Sequence, residues 1–349
     1  PTCSLNLLDR QFYAYTQTND PAVQRTLSHK NNEALSLRGE SVMKKRAKAL
    51  ISFIFVSVAL FLFLAIDTSH AFLGKGIFYL PYTISSPGTY YVMKDLKCPP
   101  GSHGITIRAD NVTLDLMGFS LIGPGGTGDY DGVHINNRKN VEIRNGTVRN
   151  FPKDGIWENC GSTLVITNHR IINVRVQGNG NSGIYLYGSG NFVHQCTAVG
   201  NADSGITALD GSTVTGNTCS GNGWHGIKTG AGVTVTGNTC FDNTRDGILA
   251  NAGSTISGNT CFQNKDIGIY VGYGSTVTGN TCARNLVHGI CCDGPAHTII
   301  GNTCFENTDH GIYINPSMGN CLIDQNTSFN NGTNLIDSYG GCVYGINKY

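Results

Sequence analysis

Asp131, His134, Arg149, Lys153 and Asp154 place carboxylates, an imidazole and two cations in one short stretch of this 349-residue chain. A carboxylate or imidazole can take a proton while a nearby cation neutralises the charge that develops, so this set suits acid–base work on an acidic substrate. Any one of these residues alone reads as a solvated surface group. Their clustering is what counts: ten of the sixteen basic residues after Ala71 lie between Lys94 and Arg175, together with Asp129, Glu142 and Glu158. Three rings, Trp157, Tyr185 and Tyr187, fall in the same region and suit stacking on sugar faces. Lys153 and Lys228 are cations placed to meet acidic groups on such a polymer.

These residues sit in a repeat. From Gly211 the segment GSTVTGNTCSGNGWHGIKTGA is followed by GVTVTGNTCFDNTRDGILANA, GSTISGNTCFQNKDIGIYVGY, GSTVTGNTCARNLVHGICCDG and HTIIGNTCFENTDHGIYINPS. The asparagine of GNT recurs at Asn217, Asn238, Asn259, Asn280 and Asn302, and a second one at Asn179, Asn201, Asn222, Asn243, Asn264, Asn285 and Asn307. A Gly-Ile pair marks each copy and reaches back to Gly155, with Gly132-Val133 in the same slot. A fixed period of this length signals a solenoid. Short alternating runs such as Thr213-Val214-Thr215, broken by Gly and Asn, signal strands, and the 3.6-residue period of a helix is missing. The expected fold is all-β: a single-stranded right-handed parallel β-helix of about ten coils over 104–332. It is flanked by an N-terminal cap at 72–103 and a C-terminal cap at 333–349.

Stacked coils put equivalent residues about 4.8 Å apart, so each asparagine column can bond along itself and satisfy buried turn groups. In Gly-Ile-x the residue after Ile faces outward. That column reads His134, Trp157, Tyr185, Thr207, Lys228, Leu249, Tyr270, Cys291 and Tyr313. Cys219, Cys240, Cys261, Cys282 and Cys304 share one slot in successive coils. A straight column cannot converge on one ion, so buried thiols are expected there rather than a metal site. Cys321 and Cys342 are the better disulfide candidates.

The chain before the repeat reads differently. Lys44, Lys45, Arg46 and Lys48 precede the apolar run from Ala49 to Ile66, which ends near Ser69-His70-Ala71. That is the layout of a secretory signal over 43–71, with a retained membrane anchor as the alternative. Residues 1–42 are expected to be disordered upstream sequence and not part of the native protein. From Phe72 onward there are sixteen basic and eighteen acidic residues, which leaves no electrostatic footprint for nucleic acid.

The GNT…N…GI repeat, with HGITIRADNVTLDLMGFSLIG and VEIRNGTVRNF upstream, resembles the right-handed parallel β-helix proteins of the pectate-lyase-like superfamily, and their NosD-like subgroup in particular. The resemblance covers roughly residues 80–335. It implies a secreted, periplasmic or cell-surface protein that binds polysaccharide and cleaves or epimerises it. The alternatives are a non-catalytic structural or adhesive surface protein and, as a lesser one, a NosD-like copper accessory protein. Enzyme signatures of the superfamily are absent or scrambled: there is no Asp-Pro-His block and no Arg-x-Pro-x-x-Arg, and Asn307-Thr308-Asp309 is an ordinary repeat variant. The sequence requires no cofactor, and Ca2+ is expected only of a lyase. No metal ligands are assigned. His225, His288 and His310 share the slot before Gly-Ile, but only His288 and His310 fall in neighbouring coils.

Overall fold

The computed structural model describes residues 74–349 except 162–164, 316–319 and 338–339, and part of the stretch 21–53. The described residues of that stretch are helical, although 1–42 shows no apolar periodicity. Most of the apolar run and the whole expected cleavage site lie outside the described residues. Among the described residues no helix is long and apolar enough to cross a membrane.

Residues 74–349 form one unit, and its described residues make 34 short strands. The strands belong to a 12-stranded sheet and a 22-stranded sheet, and every pairing is parallel to the equivalent strand of a neighbouring coil. The fold is thus a parallel solenoid of twelve coils, against about ten expected, and the difference lies at the ends. Lys75–Ile77 and Tyr82–Ile84, placed in the expected N-terminal cap, already pair with later coils. Thr333–Asp337 and Val343–Tyr344 extend the two sheets at the other end.

The repeat has a physical reason at each position. Ile227, Ile248, Ile269 and Ile290 follow the repeated glycine, stack in register and are fully buried. A Cβ at Gly226 would lie 2.6 Å from the Gly247 carbonyl oxygen and 2.8 Å from Asn243 Nδ2, so only glycine lets the coils approach there. At Gly237 the backbone turns left-handed (φ +66°) before the ladder asparagine. Each ladder amide then bonds along the axis: Asn238 Nδ2 donates to Asn259 Oδ1 at 3.0 Å, and Asn259 Nδ2 to Asn280 Oδ1 at 3.0 Å. The second ladder does the same, with Asn243 Nδ2 to Asn264 Oδ1 at 2.9 Å. The cysteine column is fully buried, and burial holds its thiols well above their ordinary value from Cys219 to Cys282. These thiols act as small apolar fillers. The Cys321 and Cys342 thiols are also free, and Cys342 packs beside the core.

Candidate functional site

The early coils of the 12-stranded sheet carry the candidate residues. Parallel register aligns Thr106, His134, Trp157, Tyr185, Thr207 and Lys228 as one row crossing successive coils. Beside it runs the slot before each repeated glycine, and in three successive coils this slot holds His103, Asp131 and Asp154. Strand alternation turns the first row outward, while the second row lies at the strand entrance, where side chains point along the axis toward neighbouring coils.

Asp131 is fully buried between two imidazoles. Its Oδ2 lies 2.9 Å from His134 Nδ1 and 3.3 Å from His103 Nδ1, and Oδ1 accepts the Asp154 N–H at 3.2 Å. The Asp131 N–H in turn donates to His103 Nδ1 at 2.9 Å. Burial opposes the carboxylate charge, yet the contacts with His103 and His134 outweigh it and hold Asp131 below its ordinary value. The His103 and His134 ring centroids are 4.2 Å apart, and His134 lies 4.8 Å from Trp157. An imidazole that gives its Nδ1–H to Asp131 keeps Nε2 as a base, and the carboxylate stabilises the imidazolium that forms.

Asp154 is equally buried but titrates in the opposite sense. Burial first, and the adjacent Asp131 charge second, push its carboxyl up to about 7, against hydrogen bonds from the Ser182 N–H and Asn181. Its Oδ2 has no hydrogen-bond partner among the described residues. Two neighbouring carboxylates with values driven apart are the usual arrangement of an acid–base pair. Lys153 is held charged: burial works against its proton, but Asp129, Asp131 and Asp154 outweigh that. Its ammonium lies 4.7 Å from the Trp157 ring centre, which fixes the cation at the edge of the aromatic row.

The structure therefore gathers Asp131, His134, Lys153, Asp154, Trp157 and Tyr185 on one face. Tyr185 and Tyr187 have near-parallel rings with centroids 6.4 Å apart. Lys228 is exposed in the same row, two coils beyond Tyr185 and thus about 10 Å away. Arg149 is elsewhere: its strand, Val141–Arg149, belongs to the 22-stranded sheet, where it pairs with Ile122 and Gln177. Sequence proximity to Lys153 is misleading here, because a coil changes sheet within those few residues. Thr207 and Cys291, read as outward, are buried, so the outward row is interrupted at both. His103 was missed, although His103-Gly104-Ile105 carries the same slot-before-Gly-Ile pattern as Asp154. Glu158, counted among the early charges, points inward and is spent on structure: it meets His169 at 3.1 Å and accepts the Gly188 N–H.

Comparison with known proteins agrees with this architecture. The family model for a right handed beta helix region matches residues 131–282, and that for periplasmic copper-binding protein (NosD) matches 231–339. No curated protein is detectably similar in sequence. Among solved structures, the A-module of the Azotobacter vinelandii mannuronan C-5 epimerase AlgE4 superposes with a TM-score of 0.55 at 17% identity, covering 82% of this chain and 92% of that one. The periplasmic alginate epimerase AlgG gives 0.52 at 15% identity, with 75% of each chain covered. Identities this low establish shared fold and nothing of activity. The chain therefore has the right-handed parallel β-helix fold, which it shares with these epimerases.

Proposed function

We propose that this protein works outside the cytoplasm, binds an acidic polysaccharide across the early coils of the 12-stranded sheet, and acts on one uronate unit by cleavage or epimerisation. The observation that carries the reading is the buried Asp131 bridging His103 and His134, beside Asp154 at about 7 and the Lys153–Trp157 pair. Cleavage by elimination and epimerisation both begin by removing the proton next to the uronate carboxylate. In this reading His134 Nε2 takes that proton, Asp131 holds the imidazole in the required tautomer, and Lys153 neutralises the sugar carboxylate. Asp154 exchanges a proton near neutral pH. Trp157 and Tyr185 supply ring faces for neighbouring sugars. Alginate epimerases share the fold, and a periplasmic protein stands among them, which supports the substrate class and the compartment.

Trp157→Ala and Tyr185→Ala are each expected to weaken binding to a polyuronate by about 1–3 kcal/mol, the usual range for a buried aromatic anchor. Calorimetric titration of the wild type and both variants checks this. Unchanged affinity in both would move the site off this face. Failure of the wild type to bind any acidic or neutral glycan would favour a structural surface role.

A further inference from the structure

The 22-stranded sheet carries an outward row of rings that the proposed polysaccharide site does not use. Parallel register aligns Phe241, Phe262, Ala283, Phe305 and Phe329 in five successive coils, with Val199 and Ser220 in the two coils before them. Phe241 and Phe262 stack with ring centroids 5.0 Å apart, and Phe305 and Phe329 with centroids 5.4 Å apart, each pair nearly parallel. Ala283 leaves a notch between the two pairs. The seven strands that carry the row, from Thr197–Val199 to Thr327–Phe329, hold no charged residue, and each has threonine as its other outward position. A continuous stripe of part-exposed rings without charge has the composition of an interface centre.

Charge returns at the corner that ends each strand. Asp242, Gln263, Arg284 and Glu306 hold equivalent left-handed positions (φ +52° to +55°) in successive coils, and all four are exposed. Arg284 Nε donates to Glu306 Oε2 at 2.6 Å, which leaves its other guanidinium donors to meet a second carboxylate. Among the described residues no cation pairs with Asp242. Row and corner share one internal symmetry. A two-fold axis along the strand direction, through the Phe262 coil, reverses the coil order and lays a second copy on this face. Phe241 then enters the notch at the partner's Ala283, while Phe305 faces the partner's Ser220 and Phe329 the partner's Val199. The same rotation sets Asp242 against the partner's Arg284, and Gln263 against the partner's Gln263. Such self-complementarity is what a two-fold interface requires. Moving the axis half a coil either way sets two rings against each other, and toward Ala283 it also opposes Asp242 to Glu306.

We propose that a second copy of this chain docks on the face centred on Phe262, giving an antiparallel two-fold dimer held in register by two Asp242–Arg284 pairs. The rings supply the affinity, and the charge pairs at the rim select the register. The face belongs to the other sheet from the Asp131–Trp157 cluster, so the proposal does not depend on the polysaccharide reading.

Light scattering of tag-free protein of full length, over a dilution series, tests the proposal. Twice the chain mass is expected, falling to the monomer on dilution. Phe262→Asp should raise the dissociation constant at least about thirtyfold, the effect of losing a central anchor. Asp242→Arg and Arg284→Asp should each weaken the dimer at least about tenfold, and combining them should return it to within about threefold of wild type by restoring both pairs. Both positions are exposed and share one backbone conformation, so each accepts the other's residue and these variants fold even if Phe262→Asp does not. A wild type that is monomeric throughout, or trimeric, would overturn the proposal. So would a dimer that both single charge variants leave intact, as association through the apolar run 49–66 would be, or a double variant no tighter than either single one.

Discussion

Asn259→Ala should lower the stability of the solenoid by about 2–5 kcal/mol, far more than the same change at exposed Asn251. Asn259 sits fully inside its coil and holds the ladder in both directions. Its Oδ1 accepts the Asn238 N–H at 2.9 Å and the Asn238 amide at 3.0 Å; its Nδ2 donates to Asn280 Oδ1 and to the Val235 carbonyl at 2.9 Å. Alanine deletes all four bonds and leaves the buried Asn238 N–H without its acceptor. Each stranded group costs about 1–3 kcal/mol, while exposed substitutions stay within about 0.5 kcal/mol. Since coils couple mainly to their neighbours, the loss would appear as an early local transition in chemical denaturation. Matching midpoints for Asn259→Ala and Asn251→Ala would show that the ladder is not what holds the coils.

The second large effect is a gain. Asp154→Asn should stabilise the protein above pH 7 and leave it nearly unchanged near pH 4. In the fold, burial and the Asp131 charge raise the Asp154 carboxyl from 3.8 to about 7, so the folded state holds this proton more tightly than the unfolded chain. Its contribution is therefore complete below about pH 4 and is lost as pH rises through about 7, at most about 4 kcal/mol for a shift of this size. Asparagine mimics the neutral acid and never ionises, so the variant lacks that decline. Asp131, held low, has the opposite dependence, and its contribution fades only as the solution becomes acidic. Thermal melting of both proteins between pH 4 and 8 reads the difference directly. A variant less stable than wild type at pH 8 would mean that Asp154 is ionised without penalty.

The fold was legible because each coil repeats the same constraint: glycine where coils touch, asparagine at the corners, isoleucine inward. The grouping of the candidate residues was legible only in part. Asp131, His134 and Asp154 stood out as charges in a chain with few of them, and outward alternation found Trp157 and Tyr185. Arg149 failed because linear proximity says nothing about which sheet a residue lands on. His103 escaped because its coil has degenerated too far for the period to be counted, though its local pattern survives. The opposite titration of Asp131 and Asp154 could not be read from residue types at all, since both are buried aspartates in the same slot and only their partners differ.

The most direct test of the central claim is proton NMR of mannuronate, guluronate and galacturonate polymers incubated with the protein in D2O. Cleavage by elimination and epimerisation both remove the C5 hydrogen, so either one erases the H5 signal of the sugar attacked. The account predicts loss of H5 from one of these polymers with the wild type, and its retention with Asp131→Asn and with His134→Ala. Full retention of H5 in every polymer that the wild type binds, or loss at the same rate with both variants, would contradict it.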